Sequence, residues 1–234
     1  MKPSEIRKTL SELDLPGQKQ AEKIAKYYQI VLEVNAHTNI TAITEPDQFL
    51  ARHVVDCLWL AKVSSLEGTL VDVGSGAGFP GLLLALCLPR LQVTLIDAAE
   101  KKVEFLRRCC KELEVDAAVI HGRAESLGRS DARGSFDWVV ARALAPLPVL
   151  AEYCLPLART GGVVAAYKGP AADEEIRQAS AAIDLLGGAC PVRHSYLLPD
   201  GSRRTLILMD KKHPTPDKYP RRPGVPARKP LANS

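Results

Sequence analysis

From Thr69 onward, strand-type and helix-type segments alternate along the chain, and this order is compatible with few folds. Short apolar runs such as 69–73 and 92–97 are separated by segments with apolar residues at helical spacing. Because parallel strands need crossover connections, the order predicts a doubly wound, mostly parallel α/β sheet. Two alternating runs around Pro199-Asp200-Gly201 end the pattern and predict an antiparallel C-terminal hairpin.

Helical patterns precede the alternating region. Residues 18–36 carry apolar side chains at helical spacing, which predicts one helix. Thr44 is an N-cap signal for another, whose apolar stripe leaves Arg52, His53 and Asp56 on or near its polar side. The sheet is therefore expected to have N-terminal helices in addition to its crossover helices.

The chain is predicted to have three parts. Residues 1–66 are a helical extension packed on the core, residues 67–210 are the α/β core, and residues 211–234 are a basic, proline-rich tail. The tail has seven Lys/Arg residues, one Asp and six prolines, so it is predicted to be extended rather than helical. Its charge favours a polyanionic partner, and a solvated, disordered terminus is the alternative.

Composition excludes several classes of protein. With 234 residues, 46% hydrophobic and 25% charged, the chain is typical of a globular protein with a real core. Its polar beginning is unlike a secretory signal, and its longest apolar runs are too short to cross a bilayer. We expect a cytoplasmic protein without a membrane partner. The six cysteines have no zinc-site spacing, so no metal is expected.

A glycine-rich loop, 74–78, follows the first predicted strand, where a doubly wound sheet binds its ligand. No Gly-Lys-Ser/Thr follows, which excludes a phosphate-binding P-loop. The dinucleotide fingerprint would require a third glycine at the position of Phe79, where it would allow tight helix–strand packing. Asp72, just before the loop, would repel a pyrophosphate and suits a cationic group.

Acidic residues also follow the next two strands. Asp97 ends the second strand, where a carboxylate can accept hydrogen bonds from both ribose hydroxyls. A ribose, a nearby positive charge and no pyrophosphate together favour S-adenosylmethionine. Glu125 follows the third strand, and either it meets the adenine or it is a surface acid at a helix start.

The methyl acceptor is constrained by residues that are missing. The segment 140–146 lacks the [Asn/Asp/Ser]-Pro-Pro-aromatic motif common in amine methylation. Cys154 is the only cysteine near enough for attack on a pyrimidine, and it lies in a core-type helix. A ring nitrogen such as guanine N7 has a lone pair and no proton to remove, so alignment would supply most of the catalysis. No catalytic side chain is assigned, which agrees with such an acceptor.

Several motifs, spread over nearly the whole chain, together resemble one family. They are Asn39-Ile40-Thr41, Arg52-His53-x-x-Asp56, DVGSGAGFPG (72–81), Asp97, KKVEFL (101–106), RAE (123–125), ARA (141–143), KG (168–169) and YPRRPGVPARKPL (219–231). The combination resembles the bacterial ribosomal RNA small-subunit methyltransferase G family, also called glucose-inhibited division protein B. The chain departs from the family at Cys57, where Ser is usual.

The resemblance implies a Rossmann-like class I methyltransferase fold, with S-adenosylmethionine as donor and N7 of one guanosine in 16S ribosomal RNA as acceptor. It also implies cofactor contacts at Gly74, Phe79, Asp97, Ala98, Ala124, Glu125 and Arg142. We expect a monomer that acts on 16S ribosomal RNA or on the small subunit.

Candidate RNA contacts are named by position: Arg52, His53, Lys168, Arg221 and Arg222. Pairing of Arg52 and His53 with Asp56, or a solvated strand end for Lys168, are the alternatives. Aromatic residues make up only 5% of the chain, which favours recognition of a folded RNA over stacking on a free strand. Removal of 214–234 is expected to weaken RNA binding and to spare cofactor binding.

Three other functions remain open on the sequence alone. They are a nicotinamide-dependent oxidoreductase, a non-catalytic RNA-binding module and a small-molecule methyltransferase.

Overall fold

The alternating segments form one seven-stranded sheet in the computed structural model, which describes residues 1–231. The strands are β1 (Thr69–Val73), β2 (Gln92–Asp97), β3 (Ala117–His121), β4 (Phe136–Arg142), β5 (Ala158–Lys168), β6 (Val192–Leu197) and β7 (Arg203–Asp210). They are ordered β3-β2-β1-β4-β5-β7-β6. Strands β1 to β5 are parallel, and β7 pairs antiparallel with both β5 and β6. The predicted sheet and its C-terminal hairpin are confirmed.

Ten helices surround the sheet within residues 1–231. They are α1 (Pro3–Glu12), α2 (Gln18–Asn35), α3 (Pro46–Phe49), α4 (Asp56–Val63), α5 (Gly81–Cys87), α6 (Glu100–Leu113), α7 (Ala124–Leu127), α8 (Leu147–Cys154), α9 (Ala172–Leu185) and α10 (Val225–Arg228). A π-helical turn, Leu50–Val55, joins α3 to α4. Helix α3 follows Glu45 rather than the predicted cap Thr44, because Pro46 has the backbone angle preferred at a first helical position.

Hydrophobic clusters cover both faces of the sheet. On one face, α1, α2, α5 and α6 bury side chains such as Ile24, Leu83 and Leu106. On the other face, α8 and α9 bury Leu150 and Ile183. Complete burial of one such side chain contributes about 1.5–3 kcal/mol. Within residues 1–231, no helix is both long and apolar enough to cross a lipid bilayer.

The strand order also creates the crevice that holds the site. Strand β1 pairs with β2 on one side and with β4 on the other, so the chain reverses its direction across the sheet between β3 and β4. Ligands of doubly wound sheets bind at this reversal, beyond the carboxyl ends of the strands. The glycine loop, Asp97 and Arg142 all follow or end strands at this edge.

The basic tail folds back onto the core. Lys211 is buried, and its Nζ donates to the backbone oxygen of Leu186 at 2.6 Å and to Thr215 Oγ1. Burial lowers the pKa of Lys211 to about 8. Tyr219 is buried against the α8 side of the sheet. We name residues 214–231 the C-terminal strap, which is a packed segment and not a solvated terminus. Residues 232–234 of the predicted tail lie outside the described residues.

Candidate functional site

A cavity of about 210 Å³ opens at the carboxyl ends of β1, β2 and β3. We name it the inner cavity. Five of the seven predicted cofactor residues line it: Gly74, Asp97, Ala98, Ala124 and Glu125. Parallel strands that end at one edge bring together residues that are far apart in the sequence.

The glycine loop is held against β2. The backbone N–H groups of Gly74 and Ser75 donate to the carbonyl oxygen of Ile96 at 2.9 and 3.0 Å. Gly74 has a φ of +74°, and a Cβ on it would lie 2.6 Å from Cδ1 of Leu144. Only glycine fits this position without strain, because the backbone is left-handed and Leu144 lies directly over it.

Asp97 is fixed by two backbone N–H groups. Its Oδ2 accepts from Gly76 at 2.8 Å and its Oδ1 accepts from Ala99 at 2.9 Å. A carboxylate oxygen has two lone pairs, so each oxygen can accept one more hydrogen bond. Asp97 lines the inner cavity, and it can therefore bind a pair of neighbouring hydroxyl groups there.

Glu125 is buried and is not the surface acid that the sequence left open. Only 3% of it is exposed, and it lines the inner cavity. Its Oε1 accepts a hydrogen bond of 2.8 Å from the backbone N–H of Gly224, on the C-terminal strap. The carboxylate thus joins the cavity wall to the strap.

The expectation that Asp72 faces a ligand beside the glycine loop is wrong. Asp72 is completely buried, its Oδ2 accepts from the backbone N–H of Gly81 at 2.8 Å, and it lines neither cavity. Its Oδ1 has no hydrogen-bond partner among the described residues. Burial raises the pKa of this carboxyl to about 7. Asp72 lies beneath the loop, and its hydrogen bond from Gly81 fixes the first residue of α5.

Gly81 takes the packing role that the dinucleotide fingerprint gives to position 79. A Cβ on Gly81 would lie 2.6 Å from Asp72 Cβ and 2.6 Å from Leu95 Cδ2. Helix α5 therefore packs closely on β1 and β2 although Phe79 interrupts the fingerprint. Tight helix–strand packing at this loop therefore does not require a glycine at position 79.

Phe79 lies beneath the loop and not in a cavity wall. It is buried and stacks on His53, with ring centroids 4.0 Å apart. The rings of Tyr27 and Phe49 meet it edge-on, and the guanidinium of Arg142 lies 4.9 Å from its centroid. Phe79, an implied cofactor contact, is not among the residues that line either cavity. Its contacts instead support the loop from below.

A second cavity of about 730 Å³ adjoins the first. We name it the outer cavity. Leu144 lines both cavities. The outer cavity contains the side chains of Arg52, His53, Asp56, Arg142, Lys168, Glu175 and Arg204. Arg142, predicted as a cofactor contact, therefore faces the larger space.

Arg142 connects several of the residues that line the outer cavity. Its Nη1 donates to the backbone oxygen of Arg52 at 2.8 Å and to Asp56 Oδ2 at 3.0 Å. Its Nη2 lies 2.9 Å from His53 Nδ1. Because a guanidinium only donates, Nδ1 accepts, and Nε2 carries the proton that it donates to Thr41 Oγ1 at 3.0 Å. Burial and the Arg142 charge lower the pKa of His53 to about 3, so the ring is neutral.

The prediction that Arg52, His53 and Asp56 lie on or near the polar side of the helix after Thr44 is wrong for His53 and Asp56. His53 and Asp56 are 6% and 3% exposed. They lie in and directly after the π-helical turn, and both are hydrogen-bonded to Arg142. Asp56 also accepts a hydrogen bond of 2.7 Å from the hydroxyl of Tyr196. Within residues 1–231, Arg52 forms its ion pair with Asp200, at 2.5 Å, and not with Asp56 as suggested.

Lys168 holds the loop between β4 and α8. Its Nζ donates to the backbone oxygen of Ala145 at 2.7 Å and to Glu175 Oε2 at 2.6 Å. The same carboxylate oxygen accepts from the backbone N–H of Leu147 at 2.7 Å. The Lys168 side chain is only 9% exposed, so it is not a solvated strand end.

The five RNA candidates fall into two groups. Arg52, His53 and Lys168 line the outer cavity. Arg221 and Arg222 lie on the C-terminal strap, where Arg221 is bound to the buried Glu152 and Arg222 is exposed.

Some residues that line the cavities were not predicted from the sequence. Tyr153 lines the inner cavity, and Tyr167 and Arg204 line the outer one. Arg204 belongs to a basic pair at the hairpin and could have been noticed. The two tyrosines lie in apolar segments that read as core, so nothing in the sequence marked them.

The comparisons with known proteins agree with one another. The family described as "GidB: rRNA small subunit methyltransferase G" matches residues 20–195. The ribosomal RNA small subunit methyltransferase G of Pelotomaculum thermopropionicum is 46% identical over 219 residues, which cover 92% of each chain. That of Limosilactobacillus fermentum is 41% identical over 244 residues and covers both chains completely.

A solved structure supports the fold. A methyltransferase from Pyrococcus furiosus matches with a TM-score of 0.55 at 16% identity, over 82% of this chain and 100% of its own. At this identity the likeness shows the fold alone.

Proposed function

This chain belongs to the ribosomal RNA small subunit methyltransferase G family, and on this basis we propose that it methylates N7 of a guanosine in 16S ribosomal RNA. S-adenosylmethionine is the donor, and the small subunit or its RNA is the substrate. We propose that the protein acts as a monomer in the cytoplasm. Family membership removes the support for an oxidoreductase, a silent RNA-binding module or a small-molecule enzyme.

The inner cavity fits the cofactor. S-adenosylmethionine supplies an electrophilic methyl group on a sulfonium. Asp97 would hold the ribose hydroxyls with its free lone pairs, and Gly74 lines the same cavity. Ala98, Ala124 and Glu125 would surround the adenine. Leu144 lines both cavities, and we propose that the donor binds in the inner one and the target base in the outer one.

One observation carries the choice of N7: the imidazole and both carboxylates that line the outer cavity are each bound to other residues of the chain. His53 uses both ring nitrogens, Asp56 uses both oxygens, and Glu175 holds Lys168. An exocyclic amine must lose a proton to a base, whereas N7 offers a lone pair directly. The residues therefore act by orienting the base and excluding water.

The charges of the outer cavity suit a nucleic acid. Four cationic side chains line it, against two carboxylates: Arg52, Arg142, Lys168 and Arg204, with Asp56 and Glu175. A net positive cleft attracts phosphates, which position the RNA without reading its sequence. Its volume of about 730 Å³ is in the range of small-molecule sites, and it can hold an extruded nucleotide.

Methyl transfer tests the proposal. The purified protein is incubated with methyl-labelled S-adenosylmethionine and with small subunits that lack the modification, and the labelled base is then identified. We expect label in one guanosine, as 7-methylguanosine. Naked 16S RNA serves as a second substrate and is expected to react more slowly. Label in an exocyclic amine or in a pyrimidine would contradict the proposal.

A matched pair of variants ties the activity to the inner cavity. Asp97→Asn removes the charge and one acceptor, so we expect at least a tenfold weaker affinity for S-adenosylmethionine. Asp116→Asn makes the same change at an exposed acid and is expected to bind like the parent. Equal affinities for the two variants would show that Asp97 does not hold the cofactor.

A further inference from the structure

We propose that Arg221 and Gly224 are positioning residues for the cofactor: through them the C-terminal strap holds two walls of the inner cavity, so strap docking and S-adenosylmethionine binding are linked. The inference rests on the proposed function for the identity of the ligand. It replaces the expectation that the strap serves RNA alone.

The first link is between Gly224 and Glu125. The two residues are 99 positions apart, and the backbone N–H of Gly224 donates to Glu125 Oε1 at 2.8 Å. Glu125 is 3% exposed and belongs to the cavity lining. A buried carboxylate that loses a donor must reorient or take up water. Undocking of the strap would therefore change the wall that faces the ligand.

The second link is between Arg221 and Glu152, on α8. The backbone N–H of Arg221 donates to Glu152 Oε1 at 2.8 Å, its Nε donates to the same oxygen at 2.8 Å, and its Nη2 donates to Oε2 at 2.6 Å. Glu152 is completely buried. The next residue, Tyr153, lines the inner cavity. The ion pair thus fixes the part of α8 that forms a second wall.

Arginines of the core fix the position of the strap along the surface. Arg129 Nε donates to the backbone oxygen of Pro220 at 2.7 Å. Arg133 donates to the backbone oxygens of Tyr219 and Thr215, both at 2.6 Å. Both arginines follow α7 in the chain, and their hydrogen bonds determine which strap residue reaches Glu125. The strap is therefore held in one register rather than laid loosely on the core.

The charges of the strap separate this role from RNA binding. The guanidinium of Arg221 is occupied by Glu152, and its side chain is 25% exposed. The neighbouring Arg222 is exposed, and no hydrogen bond or ion pair of its side chain occurs among the contacts of residues 1–231 that the structure gives. The same substitution at these two positions removes the same charge. Only Arg221→Gln also breaks an ion pair, the one with Glu152.

Calorimetry of Arg221→Gln and Arg222→Gln with S-adenosylmethionine, without RNA, tests the inference. We expect at least a tenfold higher Kd for Arg221→Gln and less than a twofold change for Arg222→Gln. Unfolding would lower the binding stoichiometry, whereas a displaced wall lowers the affinity of the folded fraction. Arg221→Gln/Glu152→Gln, in which two amides can pair, is expected to recover part of the affinity. Equal Kd values for Arg221→Gln and the parent would overturn the inference.

Hydrogen exchange of the parent provides the reciprocal test, because linked sites must affect each other equally. Saturating S-adenosylmethionine is expected to slow exchange of the Gly224 amide in peptides that cover 219–228. Unchanged exchange in a parent that binds the ligand would refute the linkage and leave the proposed function intact. A parent that does not bind S-adenosylmethionine would instead refute the proposed function.

Discussion

Asp72 shows how a single residue can be identified correctly and placed wrongly. The sequence puts an acid two positions before Gly74, but it does not tell on which side of the turn the carboxylate lies. In the structure the side chain faces inward and binds the N–H of Gly81. Asp97 was predicted at the end of β2, a position that follows from the parallel sheet itself, and it lines the inner cavity.

The burial of Asp72 gives a pH-dependent stability. Its pKa of about 7 lies above its ordinary value, so the folded state favours the protonated carboxyl. Stability from this group is complete below about pH 4 and is lost as the pH rises to 7. Each pH unit between these values lowers the free energy of unfolding by about 1.4 kcal/mol.

Asp72→Asn should remove this dependence, because an amide has the same shape and its oxygen can accept from Gly81. We expect the unfolding free energy of the parent, relative to the variant, to fall by about 2–3 kcal/mol between pH 5 and 8. Urea titrations at several pH values measure it, with Asp116→Asn as control. A difference that stays flat across this range would show that Asp72 is ionised throughout.

His53 is expected to stay neutral at every physiological pH. Its pKa is lowered to about 3, first by burial and then by Arg142, so its stabilising effect is complete above about pH 6.5 and declines below it. The imidazole resonances of His53, assigned with His53→Gln, should not shift between pH 5 and 8. A titration in this range would mean that the bond from Arg142 to Nδ1 is broken.

At the scale of elements, the sequence predicted the strands well because apolar runs between turn residues have few other readings. It did not predict how the β4–α8 loop is held. That loop is held by Lys168, at the end of β5, and Glu175, in α9, which pair with each other. They also bond to the backbone of Ala145 and Leu147. Such a contact is set by tertiary packing and leaves no periodic signal.

Lys168→Met tests whether the loop matters for the reaction. The change removes the Nζ hydrogen bonds to Ala145 and Glu175, so we expect the unfolding free energy to fall by about 2 kcal/mol. The rate of RNA methylation should fall at least tenfold, because the loop carries Leu144, which lines both cavities. Lys19→Met, at an exposed position on α2, is the control. An undiminished rate would assign Lys168 a purely structural role.

On the scale of the whole molecule, the three predicted parts are joined by many contacts. The Tyr27 hydroxyl, on α2, donates to the carbonyl oxygen of Ala77 in the glycine loop. Trp59, on α4, stacks on Tyr196, on β6, with centroids 4.4 Å apart. The docking of the strap was not predictable, because its prolines and charges are equally typical of a solvated terminus. Its partners Glu125 and Glu152 lie 99 and 69 residues away from the strap residues they bind.

The N-terminal helices and the core should therefore unfold together. Trp59 reports on the extension and Trp138, on β4, reports on the core. Single-tryptophan variants, Trp138→Phe and Trp59→Phe, are followed by fluorescence in urea after correction for their own stabilities. We expect coincident transitions at equal unfolding free energy, which is the behaviour of one cooperative unit. An earlier loss of the Trp59 signal would show that the extension is a separate folding unit.

We infer that the inner cavity accepts a sulfonium nucleoside and not a dinucleotide. Calorimetric titration of the parent with S-adenosylmethionine, and in parallel with NADH, tests it most directly. We expect one S-adenosylmethionine to bind per chain, and no heat of binding with NADH. Saturable binding of NADH without binding of S-adenosylmethionine would contradict the claim.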